Sequence, residues 1–158
     1  MPQGVQKPSN QVLAAGNPLR VEMEIGANAT AAKMLPGRVV IFDDADQTIK
    51  EAGAKATGEV FILDVQPEEL EATAYAVGEQ AIVIVGVCIA KMKLLASENV
   101  ARGDPLVTAA DGKVAKLAVG AMGGQGKVIG YAWEASNVTT DAEILVHWQP
   151  AAEPAAAS

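Results

Sequence analysis

The sequence predicts an all-β (β-dominated) fold, either a small β-barrel or a β-tulip-like domain. Several short segments alternate apolar and polar residues with the two-residue period of a half-buried strand. Fifteen Gly and eight Pro interrupt the 158-residue chain often, whereas helical periodicity is weak. Half of the residues are apolar, so the chain can form a core, although only 4% are aromatic. Frequent turns between short strands favour a barrel over a helical bundle.

The clearest strand pattern is Leu19–Ile25, where four apolar residues alternate with Arg20, Glu22 and Glu24. Asp111-Gly112 predicts a hairpin turn. Helix is expected only as short turns at residues 67–76 and 98–101, and residues 120–126 form a glycine-rich loop. Further strands are predicted at residues 38–42, 58–65, 80–90, 105–108, 114–118, 127–133 and 143–148.

Both ends of the chain differ in composition from the middle. Residues 1–18 are rich in Pro, Gly, Asn and Gln and are predicted to form an extended arm. Residues 149–158 are of low complexity and are predicted to be disordered. The β-rich domain therefore covers residues 19–148.

Composition and charge exclude several classes of partner. The formal net charge is −7 and the 12 Lys and Arg residues are scattered, which argues against nucleic-acid or anionic-membrane binding. The longest apolar run, residues 81–90, is far shorter than the ~20 residues that span a bilayer. The first 17 residues do not resemble a signal peptide, so synthesis in a cytoplasm is expected. Cys88 is the single cysteine, which excludes a disulfide framework and a cysteine-based zinc site.

No catalytic constellation is predicted. His147 is the only histidine, and alternation places it on the strand face opposite Ile144, Val146 and Trp148. The acidic residues 43–46 lack the spacing of a calcium loop and are interpreted as a solvated turn. The glycine-rich residues 120–127 fail the phosphate-loop spacing. We therefore expect no enzyme activity, no cofactor and no metal.

An alternative function is that of a biotinyl- or lipoyl-type carrier domain, in which Lys91 of the sequence Ala90-Lys91-Met92-Lys93 would be the modified residue. Biotinyl- and lipoyl-type carrier domains modify a lysine in a hairpin flanked by methionines, and the chain is β-rich. The methionine before the lysine is missing, and a carrier domain needs only about half of this length.

The order of motifs in the second half resembles a known family. Residues 99–107 contain Gly103-Asp104-Pro105-Leu106, residues 128–132 read Val-Ile-Gly-Tyr-Ala, and a closing strand follows. This order is similar to that of the small capsid decoration, or cement, proteins of tailed viruses of bacteria and archaea. Residues 29–40 also resemble the start of the domain in some of those proteins.

The resemblance implies a structural role on a virion. Such a protein binds the outer surface of an icosahedral capsid and stabilises it, often as a trimer. Its partners would be the major capsid protein and other copies of itself. Within the arm, Val12, Leu13, Ala14 and Ala15 could add to a neighbouring strand edge, so we expect them to contact the capsid or a neighbour and to order only there. A tail-tube or head-completion subunit is the other virion candidate.

Overall fold

The structure of the chain, a computed structural model, describes residues 5–66, 73–118 and 126–151. These residues form thirteen strands and two single turns of 3-10 helix, at Ala31–Lys33 and Ala110–Gly112. The predicted all-β fold class is confirmed. The strands are β1 Leu13–Ala15, β2 Leu19–Ile25, β3 Val39–Phe42, β4 Thr48–Glu51, β5 Phe61–Leu63, β6 Gln80–Val85, β7 Cys88–Leu94, β8 Asn99–Val100, β9 Pro105–Thr108, β10 Val114–Lys116, β11 Gly130–Ala132, β12 Ser136–Asn137 and β13 Ala142–Trp148.

The first half of the domain forms a closed barrel, called the N barrel. Its strands follow one another around the ring as β2-β4-β3-β5-β6. All neighbours are antiparallel except β2 and β4, which are parallel. Alternate side chains of these strands point inward, and Met34 and Tyr75 from the connections complete the core. The inward residues from the strands are Val21, Met23, Ile25, Val40, Ile49, Phe61, Leu63, Ala81, Val83 and Val85.

The second half forms another closed ring, called the C barrel, in the order β7-β10-β9-β11-β13 with β13 pairing back to β7. Here β7 and β10 are the parallel pair. Strands β8 and β12 form a separate two-stranded ribbon, and β1 is added to the edge of β7. The inward residues from the barrel strands include Ala90, Met92, Leu94, Leu106, Val114, Ala132, Ile144, Val146 and Trp148.

The two barrels have the same topology and the same register. If β2, β3, β4, β5 and β6 are matched with β7, β9, β10, β11 and β13, the ring order and every strand direction agree. The Cα pair Leu19↔Val85 matches Cys88↔Trp148, and the pairs of β3 with β5 match those of β9 with β11 one for one. The domain is thus a tandem repeat of one five-stranded barrel. We call residues at matching positions counterparts.

Connections repeat as well as strands. Gly37 N donates to Leu63 O at 2.8 Å, and its counterpart Gly103 N donates to Ala132 O at 2.7 Å. Both glycines have positive φ, +83° and +89°, a conformation that favours glycine. The sequence segment around Gly103-Asp104 therefore marks a turn that occurs twice in the fold.

The barrel interiors are filled differently at one pair of positions. In the N barrel the large residue is Phe61 on β5, and its neighbour on β6 is Val85. In the C barrel the corresponding residues are Gly130 and the fully buried Trp148. A Cβ atom at Gly130 would collide with the carbonyl oxygen of His147. The large interior ring therefore lies on β5 in the N barrel but on β13, the counterpart of β6, in the C barrel. The summed side-chain volume of the two positions is similar in both barrels.

The barrels pack directly on each other. Outward residues of the N barrel, Val39, Ile62 and Ile84, belong to the same apolar cluster as the C-barrel interior. Thr108 of the C barrel accepts hydrogen bonds from Lys55 N at 3.0 Å and, through Oγ1, from Ala56 N at 2.7 Å. These contacts form an interface that buries one outer face of the N barrel.

Several sequence expectations need correction. The range 19–148 contains two barrels rather than one. The predicted single strand 80–90 is broken at Gly86, whose φ of +109° turns the chain out of β6 and into β7. The expected helical turn at 98–101 is wrong, since Asn99–Val100 is a strand. Most of the other helical candidate, residues 67–76, of the glycine-rich loop 120–126 and of the C-terminal tail 149–158 lies outside the described residues.

Candidate interaction surfaces

The N-terminal segment forms a strap, residues 5–15, across the outer face of the C barrel. Strand β1 pairs antiparallel with β7, with Leu13 opposite Ala90. Lys91 N donates to Val12 O at 2.8 Å. Val12 is only 1% exposed and belongs to the apolar cluster of the C barrel. The strap is therefore part of the fold of this chain.

Polar contacts hold the part of the strap that precedes β1 against the C barrel. Lys7 Nζ lies 2.7 Å from Glu134 Oε1 and donates to Glu143 O at 2.9 Å. Lys91 Nζ donates to Pro8 O at 2.8 Å and lies 3.5 Å from the Glu143 carboxylate. Because Lys91 is buried, these oxygen partners offset the cost of taking its charge out of water.

The four residues predicted to contact a neighbour lie in this strap. Val12 is buried, whereas Leu13, Ala14 and Ala15 are half-buried. The structure differs here from the expectation that the arm orders only on an assembly, since the segment already lies against its own barrel. β1 pairs only with β7 among the described strands, so its other edge is open to a further strand. The capsid contact of these residues stays a prediction.

An aromatic groove lies at the start of the strap, on the outer face of β11 and β13. Tyr131 and Trp133 are each about 40% exposed, and the Trp133 ring meets the His147 ring edge-on at a centroid distance of 6.1 Å. The groove has a volume of about 560 Å³. It is lined by Val5, Arg102, Gly103, Tyr131, Ala132, Trp133, Glu134, Leu145 and His147. Exposed Tyr and Trp rings are typical of protein contact surfaces.

A second exposed aromatic surface lies on the N barrel. Phe42 at the end of β3 is 48% exposed, and its ring packs edge-on against Phe61 at 5.1 Å. It lines a shallow groove of about 400 Å³. The other residues of this groove are Ile41, Lys55, Ala56, Thr57, Gly58 and Glu59.

His147 and Cys88, two residues that could carry chemistry, lie on strands β13 and β7 of the C barrel. His147 is half-buried beside Trp133 and points outward, opposite Ile144, Val146 and Trp148, as alternation predicts. Burial raises the pKa of the Cys88 thiol to about 11, so it is protonated and unreactive at neutral pH. The described residues contain no group of three or more His, Cys, Asp or Glu side chains that could hold a metal ion.

The acidic residues 43–46 form the turn between β3 and β4. Asp43 accepts hydrogen bonds from Asn28 N at 2.9 Å and from Asn28 Nδ2 at 2.8 Å. These bonds hold the pKa of the Asp43 carboxyl below its usual range. This carboxylate thus closes a loop by binding Asn28.

Lys91, the residue considered for a carrier domain, lies in the middle of β7. It is 5% exposed, and the strap covers it. A carrier lysine must reach an enzyme active site from a hairpin turn. The position of Lys91 therefore does not support the carrier alternative.

Sequence reasoning missed both aromatic surfaces. The signal was present, because the alternation that puts Ala132 inward also puts Tyr131 and Trp133 outward. Two large aromatic residues at outward positions indicate a surface that contacts something. The strap pairing had no comparable signal, since a three-residue strand is too short to show a period.

No protein-family model matches the chain, and no curated protein matches it. Among solved structures, the N base of the head fiber gp8.5 of bacteriophage phi29 is similar, with a TM-score of 0.50 and 15% sequence identity. The similarity covers 88% of this chain and 98% of the phi29 chain. At this identity the comparison establishes a shared fold. Within the described residues, no helix is long and apolar enough to cross a membrane.

Proposed function

We propose that this chain is a non-catalytic structural protein of a virion of a tailed virus of bacteria or archaea. It binds the major capsid protein on the outer surface of an icosahedral capsid, stabilises the shell and acts there as a homotrimer. The observation that carries the proposal is the fold shared with a phage head fiber base over 88% of this chain. The order of sequence motifs, which resembles that of capsid decoration proteins, supports it independently.

The surface chemistry agrees with a binding role. Exposed rings such as Tyr131, Trp133 and Phe42 lie in shallow, open grooves. Open grooves that combine exposed aromatic rings with charged residues suit contact with another protein surface. Many copies on one shell would gain avidity from contacts with each other.

The strap supplies the proposed contact with the shell or a neighbour. The open edge of β1 can accept a strand from a partner through main-chain hydrogen bonds. Because Val12 O accepts from Lys91 N, alternation turns the N–H of Leu13 away from β7. Half-buried Leu13, Ala14 and Ala15 would then be covered on binding.

The experiment mixes the purified chain with undecorated expanded capsids and measures bound copies by pelleting and imaging. The full chain should decorate the shell. Leu13→Pro removes the outward N–H of an edge strand, a position where proline is tolerated. It should weaken binding tenfold or more, which is about 1.4 kcal/mol.

Leu13→Ala is the matched control, because it keeps the main-chain donor and should bind within a few-fold of the full chain. Equal loss in both variants would mean that the side chain, not the strand edge, makes the contact. Failure of the unaltered chain to bind any expanded capsid would contradict the proposed function itself.

A further inference from the structure

The two ends of the tandem repeat expose the same faces that join the barrels inside the chain. Within the chain, the N barrel contributes outward residues of β3, β5 and β6, and the C barrel contributes the region around Thr108 and Gly112. Each barrel contains both kinds of face, because the barrels share topology and register. One of each is used within the chain, which leaves one of each at the ends.

Exposure differs consistently between the used faces and their counterparts. Ile62 and Ile84 are 0% exposed at the interface inside the chain. Their counterparts on the C barrel are Tyr131, which is 41% exposed, and half-buried His147, both in the aromatic groove. Among the described residues, the groove is therefore the more open version of the face with which the N barrel packs on the C barrel.

The N barrel shows the same relation at its Phe42 surface, which adjoins the interface inside the chain through Lys55 and Ala56. Thr108, 1% exposed, lies at the interface inside the chain, whereas its N-barrel counterpart Phe42 is 48% exposed. Gly112 is buried against Val39, and its counterpart Gln47 is exposed. Both Gly112 and Gln47 have positive φ, +72° and +59°, so the turn itself is repeated.

We infer that the aromatic groove of one copy binds the Phe42 surface of a second copy, head to tail, in the arrangement that joins the two barrels within the chain. The inference deepens the trimer of the proposed function by naming its contact surfaces. A trimer closed by this contact contains six barrels in one ring. Such a contact uses two different patches, and a ring closes when the rotation allows it.

Charge favours this occupant over a symmetric contact between N barrels. Residues 19–87 contain five Lys or Arg and twelve Asp or Glu, whereas residues 88–151 contain six of each. A head-to-tail contact places an acidic barrel against a neutral one, while a contact between two N barrels would place like charges together.

Apolar contacts, rather than ion pairs, would stabilise the contact between copies. Inside the chain, Lys33 Nζ lies 2.6 Å from Asp111 Oδ1 and Arg38 Nη1 donates to Asp111 O at 2.8 Å. The counterparts of the two cations are Asn99 and Asp104, which cannot make the same ion pair. Aromatic residues at Phe42 and Tyr131 replace the smaller Thr108 and Ile62 and supply contact area instead.

The first experiment is sedimentation velocity on the purified full chain over a concentration series. Phe42→Glu and Tyr131→Glu should each abolish the concentration-dependent increase in mass. An equimolar mixture of the two variants retains one intact contact per pair, so it should form dimers and nothing larger. The matched controls Val77→Glu and Val138→Glu change residues that are 49% and 46% exposed and line neither groove, so they should associate like the unaltered chain.

Circular dichroism spectra and melting curves identify a variant that fails to fold. In that case Phe42→Ser and Tyr131→Ser replace the glutamate variants. If only Tyr131→Glu prevents association, or the mixture gives no dimer, the head-to-tail arrangement is wrong.

Cysteine cross-linking traps a contact that is too weak to sediment. Gly112 and Val39 approach closely inside the chain, and their counterparts are Gln47 and Pro105. A Gln47→Cys, Pro105→Cys double variant should form disulfide-linked trimers under mild oxidation, and each single variant should not. Native Cys88 is buried and gives little background. Absence of linked species overturns the inference, whereas loss of capsid binding with linked trimers intact would overturn only the proposed function.

Discussion

The N barrel and the C barrel share strand order and register, yet they differ in charge and in the cover of one outer face. The whole net charge of −7 corresponds to the excess of acidic residues in 19–87, and residues 88–151 are balanced. The outer face of β5 and β6 is buried by the other barrel, whereas the matching face of β11 and β13 carries exposed rings and the strap. One backbone arrangement therefore supports two different surfaces, because a barrel constrains the inward positions and leaves the outward ones free.

The largest expected effect concerns the ring that fills each interior. Trp148→Ala should lower the free energy of unfolding by about 3–5 kcal/mol, because it removes a fully buried indole and leaves a cavity. Its counterpart Val85 is half-buried, so Val85→Ala should cost only about 1–2 kcal/mol. Denaturant unfolding measures both values. Equal losses would contradict an arrangement in which the large interior ring is Trp148 on β13 in the C barrel but Phe61 on β5 in the N barrel.

The second prediction compares one outward position in the two barrels. Ile62→Ala should cost about 2–5 kcal/mol, because Ile62 is buried where the barrels meet. Tyr131→Ala changes the counterpart at an exposed position and should alter stability of the dilute protein by about 0.5 kcal/mol or less. Thermal and denaturant unfolding of both variants test the assignment of buried and open faces. A large loss for Tyr131→Ala would contradict it.

A smaller effect is expected in the strap. Val12→Ala should cost about 1–2 kcal/mol, since it removes two buried methyl groups from the C-barrel cluster. Val5→Ala, at the half-buried start of the strap, is the matched control and should change stability by about 0.5 kcal/mol or less. If the arm ordered only on an assembly, as the sequence predicts, deleting residues 2–17 would leave a similar melting temperature. With Val12 buried, that deletion should instead lower the melting temperature.

The smallest effect concerns the ion pair between the barrels. The hydrogen bond from Lys33 lowers the pKa of Asp111, so the pair stabilises the fold above the unfolded-state value of about 3.9. This contribution is lost as the pH falls through the lowered pKa of the folded state. Unfolding measured from neutral to acidic pH should show a smaller acid-induced loss in Asp111→Asn than in the unaltered chain. High salt should reduce the difference, since both side chains are partly exposed.

Local patterns in the sequence predicted most of the strands but not β1, β4, β8 and β12, and they did not predict how the strands pair around each barrel. The predicted strands Leu19–Ile25 and Pro105–Thr108 agree residue by residue with β2 and β9. The tandem repeat has no constant period in the sequence, so it cannot be recognised from spacing alone. Counterparts lie 69 residues apart in β2 and β7 (19 to 88) but 63 apart in β6 and β13 (85 to 148). Identical residues such as Met23 and Met92 are few, since an inward position requires only an apolar side chain of suitable size.

The sequence by itself determined the fold class, the turn at Asp111-Gly112 and the side of the strand on which His147 lies. Those features depend on alternation and on backbone conformations that only nearby residues control. Tertiary structure alone decided that Ile62 is buried while Tyr131 is open, that Val12 joins the C-barrel core, and that Lys91 lies under the strap. These outcomes depend on which strand edges and faces meet across long stretches of chain. The same local pattern of outward apolar residues is compatible with a buried face or an exposed one until the barrels close and pack.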